Sequence, residues 1–173
     1  MMRALRIAAM LATLQLAACS TAPLPAPPAA LTTATPEAMV AAIRAAAGHD
    51  DSELAVQPLR DPMVEDLRQQ ALRLEATRND VEAAAALDKA LAIVPQDPAL
   101  LQERAEAALL LKDYAGAERF ARRGYAIGAK VGPLCRRHWT TVQQTRLEAG
   151  DATGAALATT QIKACKVAGP TRF

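Results

Sequence analysis

A repeat with a period of about 34 residues constrains the fold of this chain more than any other feature. Asn79-Asp80-Val81-Glu82-Ala83-Ala84 recurs as Asp113-Tyr114-Ala115-Gly116-Ala117-Glu118, which sets Ala83 and Ala117 one period apart. Leu67 and Leu101 keep the same spacing, as do Ala71 and Ala105. In a third copy, Gly150-Asp151-Ala152-Thr153-Gly154-Ala155, Ala155 follows Ala117 by slightly more than one period, and the stretch 128–134 absorbs the four extra positions. Such a period marks stacked supersecondary units, each of which buries its apolar face only against its neighbours.

The units read as helical. Thr35-Pro36, Asp61-Pro62 and Asp97-Pro98 each set a capping side chain before a first-turn proline. Met39, Val40 and Ile43 share one helical face, and Gly48 follows it as a stop. No segment alternates with period two for long, and no glycine occurs between Gly48 and Gly116, so strands are not expected. The 51% hydrophobic content includes only five aromatic residues and is largely alanine. That composition suits closely packed helices, because alanine is the best helix former and makes small contacts.

The pattern resembles the tetratricopeptide repeat, a helix-turn-helix unit of the same period. The large apolar residue early in that family's first helix corresponds to Leu67, Leu101 and Trp139, and the small residue four positions on to Ala71 and Ala105. The turn and second-helix alanine correspond to Lys112-Asp113-Tyr114 with Ala117, and to Gly150-Asp151 with Ala155; the closing proline is Pro95. The resemblance implies an all-α array of about three repeats over residues 64–168, preceded by a helical segment at 36–63 and followed by a tail at 169–173. The third copy departs from the pattern, with Gln143 at the small position and Arg146 where an aromatic is preferred. Loose packing or an end-capping role is expected there, since a terminal repeat needs a polar outer face.

The N-terminus addresses the compartment. Arg3 and Arg6 precede an apolar run at 7–14 and the ending Leu16-Ala17-Ala18-Cys19, the layout of a secretory signal over 1–18. The run is too short to cross a bilayer as a helix, which takes ~20 residues. Its ending resembles the lipobox of bacterial lipoproteins; an ordinary signal that happens to contain a cysteine is the alternative. Membership implies cleavage before Cys19, acylation (including palmitate) of that residue, and, with Ser20 rather than Asp next, an outer-membrane anchor facing the periplasm. Several acyl chains on one residue anchor stably, whereas one would not. Residues 19–35 carry Pro23, Pro25, Pro27 and Pro28, with no charge, and read as an extended tether.

Removing residues 1–18 leaves 18 basic and 18 acidic residues. A neutral chain without basic runs has no electrostatic footprint for nucleic acid. Nor is catalytic chemistry conspicuous. The run His49-Asp50-Asp51-Ser52-Glu53 invites a metal or hydrolase reading, but neighbours in sequence seldom converge on one point, and Asp51 or Ser52 reads more simply as a helix cap. His138 reads as a surface residue at a helix start. No phosphate-binding glycine loop or Cys-x-x-Cys occurs. No cofactor, no metal and no enzymatic activity are expected, with a small periplasmic enzyme or ligand carrier using His49 to Glu53 as the alternative.

Repeat arrays of this kind bind partners along the face formed by their first helices. The register places Glu65, Arg68 and Leu72, then Ala99, Gln102 and Glu106, then Arg137, Thr140 and Gln144 on that face. The Lys and Asn with which related domains clamp a C-terminal carboxylate are missing, so a mixed groove for an extended or helical protein segment is expected. The order of lipobox, proline-rich tether and short C-terminal array resembles the lipoprotein activators of bifunctional peptidoglycan synthases. Pilotins and the lipoprotein of the outer-membrane β-barrel assembly machine share the layout, with more repeats. The resemblance implies a protein adaptor of the cell envelope, with a peptidoglycan synthase or an assembly component as partner.

Two cysteines remain beyond Cys19. Cys135 opens the first helix of the third copy and Cys165 lies near the end of the second. Antiparallel helices joined at 149–153 bring those ends together, so a structural disulfide is expected in an oxidising compartment, with two buried free thiols as the alternative. For the anchor, Cys19→Ser is expected to abolish incorporation of radiolabelled palmitate; a variant that still takes up label would refute lipidation at this residue.

Overall fold

The computed structural model describes residues 28–48 and 61–166. Among the described residues seven helices follow one another: α1 (Pro36–Ala45), α2 (Pro62–Ala76), α3 (Asp80–Ile93), α4 (Pro98–Leu110), α5 (Tyr114–Ile127), α6 (Pro133–Glu148) and α7 (Ala152–Ala164). The described residues contain no strand, so this part of the chain is all-α. The signal segment, Cys19, the run from His49 to Glu53 and the tail at 169–173 lie outside the described residues.

Local chemistry sets most helix starts. Thr35 Oγ1 accepts from the backbone N–H of Ala38 at 3.3 Å, and Asp61 Oδ1 from that of Met63 at 2.8 Å. Asp97 Oδ1 accepts from Ala99 and Leu100. Asp113 and Asp151 cap α5 and α7 by accepting from the N–H groups of Gly116 and Gly154, both at 2.8 Å. Each such cap contributes about 1 kcal/mol by satisfying donors that have no intrahelical partner.

Turns at 77–79, 111–113 and 149–151 fold α2 on α3, α4 on α5 and α6 on α7 as antiparallel pairs. Each turn has one residue in the left-handed region: Arg78 at φ 62°, Lys112 at φ 59° and Gly150 at φ 72°. Only the third is glycine, and packing gives the reason. A Cβ at position 150 would lie 2.5 Å from the carbonyl oxygen of Ala29, because residues 28–31 cross this turn. There Leu31 N–H donates to the carbonyl of Leu147 at 2.8 Å. Residues 28–31, within the segment expected as a tether, thus lie on the α6–α7 turn.

The core is built on alanine. Ala71, Ala83, Ala105, Ala117 and Ala155, the positions that carry the repeat, are all buried. Ala105, Ala121, Val142 and Ala158, one from each of α4 to α7, form a single cluster. Side chains this small let helix axes approach closely. A second cluster joins Val64 and Ala71 of α2, five residues of α3, and Leu100 and Ala107 of α4.

The third pair adds polar and covalent contacts to its share of the apolar cluster. Gln143 Nε2 donates to Thr159 Oγ1 at 2.7 Å. Arg146 donates to Glu118 on α5 and to Asp151 at the start of α7. Cys135 and Cys165 are joined by a disulfide with Cα atoms 5.7 Å apart, and Gly132 N–H donates to the carbonyl of Cys165 at 2.7 Å. The expected polar outer face is only partly present on α7, where exposed Thr153, Thr160 and Lys163 share the surface with exposed Ala152, Ala156, Leu157 and Ala164. A bridge between positions 30 apart stabilises by about 3–4 kcal/mol in the chain-entropy account. Reduction, or Cys135→Ala with Cys165→Ala, is expected to lower the urea midpoint measured by circular dichroism; an unchanged midpoint would show that the bridge adds nothing.

A buried polar hub on the first-helix face

The face expected to form an open groove is covered by the chain itself. α1 packs on α4 and α6, and its apolar stripe of Met39, Val40 and Ile43 is buried against Ala108, Leu109 and Ala117. Arg136, at the start of α6, holds the other end. Its Nε donates to the carbonyl of Ala46 at 2.9 Å and its Nη2 to that of Ala47, satisfying acceptors that the end of α1 leaves open.

Beneath α1 lies a polar hub centred on Glu106, which is fully buried. Arg44 of α1 donates from Nε to Glu106 Oε2 at 2.8 Å, and Arg137 of α6 donates to Oε1. Gln102 Nε2 donates to Oε1 at 2.9 Å. Two guanidiniums and an amide thus surround one carboxylate, the arrangement a buried charge needs to offset its desolvation. Arg44 also pairs with Glu75 of α2 at 2.7 Å, so one side chain ties α1 to two of the helix pairs.

The network continues to a histidine. Gln102 Nε2 donates also to Thr141 Oγ1 at 2.9 Å, while the Thr141 hydroxyl donates to the carbonyl of Arg137. With both amide protons used, Gln102 Oε1 must accept from His138 Nδ1, 2.7 Å away. His138 is 1% exposed, which corrects the expectation of a surface residue. Sequence position alone hides the cause: Gly124 of α5 faces the ring, and a Cβ there would sit 2.4 Å from His138 Cε1. Burial, followed by the charges of Arg137 and Lys130, pulls the imidazole pKa down to about 3. The ring is neutral, with its proton on Nδ1 and a lone pair on Nε2.

The other candidate groove residues divide accordingly. Gln102, Glu106 and Arg137 come together, but as internal packing; Gln102 and Glu106 are inaccessible to a partner while α1 is in place. Thr140 is buried as well. Arg68 is half-buried and donates to Glu103 at 2.7 Å and to Glu65 at 3.0 Å. Leu72 is exposed, while Ala99 and Gln144 are half-buried. Arg44 is a hub residue that sequence reasoning does not reach. Its neighbours Met39, Val40 and Ile43 signal an amphipathic helix, but nothing in the sequence tells which surface that helix covers.

Beside α1 opens a cleft of about 290 Å³ lined by Glu37, Val40, Arg44, Glu75, Arg78 and Asp80. Arg44 pairs there with Glu75, and Arg78 with Glu37. Among the described residues no group of three or more His, Cys, Asp or Glu could hold a metal ion, and no helix is long and apolar enough to cross a membrane.

The buried imidazole makes stability depend on pH. Its folded-state pKa near 3 lies below the ordinary 6.5, so on acidification the unfolded chain takes up a proton that the folded chain refuses. Stability is complete above 6.5 and falls as pH drops, by at most ~1.4 kcal/mol per pH unit. Glu118, whose burial is outweighed by Arg146, Arg122 and Thr145, and Asp151, held by the Gly154 N–H and Arg146, both sit below their ordinary 4.5 and 3.8. Their contributions are lost only at still lower pH. Between pH 6.5 and 5 the urea midpoint is therefore expected to fall, and His138→Gln is expected to flatten that slope; a flat wild-type profile would contradict the buried neutral ring.

No protein-family profile matches the chain, and no curated protein sequence does. Among solved structures, the globular C-terminal domain of P. aeruginosa LpoP matches at 32% sequence identity with a TM-score of 0.57. The match covers 61% of this chain and 99% of that domain. With nearly the whole of a solved domain aligned at this identity, the chain belongs to the family of the LpoP globular C-terminal domain.

Proposed function

We propose that the protein is a non-enzymatic lipoprotein adaptor, anchored in the outer membrane through Cys19, that binds a bifunctional peptidoglycan synthase in the periplasm and supports its activity. The observation that carries this reading is the 32% identity to the LpoP domain across 99% of its length. The order of lipobox, proline-rich segment and C-terminal helical array supports it, because lipoprotein activators of such synthases share that order. The helix pairs α2–α3, α4–α5 and α6–α7 are three tetratricopeptide repeats in this reading, supported by N-caps at Asn79 and Asp113 and by the regular spacing of buried alanines. The Cys135–Cys165 bridge fits a protein that works in an oxidising compartment.

α1 lies on α4 and α6 much as a partner helix lies in a recognition groove. The synthase therefore engages surfaces that α1 leaves open, and the docked residues 28–31 orient the array relative to its anchor. Short-spacer crosslinking of the tagged, lipidated protein in the envelope, followed by purification in detergent, tests the adaptor role. A peptidoglycan synthase is the expected captured protein, and adding the lipoprotein to that purified synthase is expected to raise its glycan-polymerising rate. Capture of no synthase, together with an unchanged rate, would sink the proposal.

A further inference from the structure

The charge of this neutral chain is divided along its length. Residues 19–111 carry 14 acidic and 7 basic side chains, whereas residues 112–173 carry 4 acidic and 11 basic ones. The excess of cations surfaces on one side of the array. α1 packs on α4 and α6, so α5 and α7, the second helices of the last two pairs, form the layer behind them. Arg119, Arg122 and Arg123 share the exposed side of α5 at helical spacing, and Lys163 is exposed on α7. Arg119 and Lys163 form no ion pair among the described residues. The one carboxylate within either helix is Glu118, whose side chain is only 15% exposed and is held by Arg122, Arg146 and Thr145. Asp113 and Asp151 stand at the helix starts, where backbone N–H groups engage them. The matching side of α3 is different, with Glu82 and Asp88 exposed.

Two further observations say what such a side meets. Exposed apolar groups are set among the cations: Ile127 on α5, and Ala156 and Leu157 on α7. Basic residues interspersed with projecting aliphatic ones make a surface suited to a lipid interface, where the cations meet headgroups and the aliphatic groups leave water. The second observation is covalent. Residues 28–31 lie on the α6–α7 turn, against Gly150 and Leu147, beside the start of α7. The chain from Cys19 to Pro28 spans at most ~32 Å even when fully extended, and α7 is itself about 20 Å long. An anchor at Cys19 therefore keeps the outer side of α7 within reach of the leaflet that holds it.

We infer that the outer side of α5 and α7 rests on the phospholipid surface that carries the anchor, with Arg119, Arg123 and Lys163 on anionic headgroups and Leu157 in the interface. The inference rests on the lipoprotein reading of Cys19 and adds an orientation to it. Glu82 and Asp88 of α3 are repelled by the same surface, so the array stands tilted, with its acidic end toward the periplasm. Each cation near an anionic leaflet is worth roughly a 5-fold change in affinity.

Photo-crosslinking from two sites tests this. Leu157 on α7 and Val81 on α3 are both 64% exposed, so a benzophenone amino acid at either position samples its surroundings equally well. The full-length, lipidated protein carrying one or the other is reconstituted in vesicles of phosphatidylethanolamine with about one-quarter phosphatidylglycerol. Phospholipid adducts are expected from position 157, in about 5-fold excess over position 81. That yield is expected to fall about 5-fold in ~0.5 M salt, or when phosphatidylcholine replaces phosphatidylglycerol. Arg119→Glu with Lys163→Glu is expected to lower it at least as much; should that variant fail to fold, the salt and lipid series on the unaltered charges decides. Equal labelling from the two positions, or a yield indifferent to salt and to phosphatidylglycerol, would overturn the inference. Adducts from position 157 in intact envelopes that join another protein or a second copy of this chain, in place of lipid, would overturn it too. A palmitoylated chain that gives no lipid adduct at position 157 defeats the orientation alone, whereas a chain without palmitate on Cys19 defeats the lipoprotein reading beneath it.

Discussion

Burying the carboxylate of Glu106 is the constraint on which the arrangement of this molecule depends. A lone charge there would be prohibitive, and breaking such a pair typically costs about 3–5 kcal/mol. The charge is offset only if Arg137 reaches it from α6 and Arg44 from α1, which fixes both helices against α4. Gln102 carries the same order one step further, orienting His138 and drawing Thr141 into the network. A hub of this kind is a weak source of net stability. It specifies which helix meets which, because any other packing would leave a buried charge or amide without a partner.

Closing the face with α1 changes what the array presents. In a stacked set of helix pairs the first-helix surface is the expected recognition surface, and here it is occupied by an amphipathic helix from the same chain. α1 is held along its length, by the apolar stripe, by Arg44, and by Arg136 at its C-terminal carbonyls. Residues 28–31, docked on the α6–α7 turn, hold the chain ahead of it. What the array leaves exposed is the outside of the pairs and the seams between them.

The third pair illustrates how a terminal unit can be kept ordered with little apolar surface. Its substitutions at Gln143 and Arg146 read in sequence as weaknesses, yet each finds a specific partner, Thr159 in one case and Glu118 with Asp151 in the other. The disulfide spans the open end of the same hairpin. Covalent closure and ionic contacts thus add to the small apolar layer that Val142 and Ala158 share with Ala105 and Ala121.

The sequence by itself determined the all-α class, the helix starts at Thr35, Asp61 and Asp97, the pairing of helices through turns that recur with the repeat, and the alanines at their contacts. These are local or periodic properties, written in capping residues, in φ-tolerant turns and in side-chain volume. The meeting of Cys135 and Cys165 was legible for the same reason, since two antiparallel helices of known length leave their far ends little choice. Tertiary structure alone decided the rest. Exposure of Gln102, Glu106 and His138 depends on what packs over them, and an amphipathic stripe such as that of α1 states that it must be covered without stating by what. Gly124 shows the point most simply: it reads as an unremarkable helical glycine until His138, on the next helix, is seen to need the space where its side chain would be.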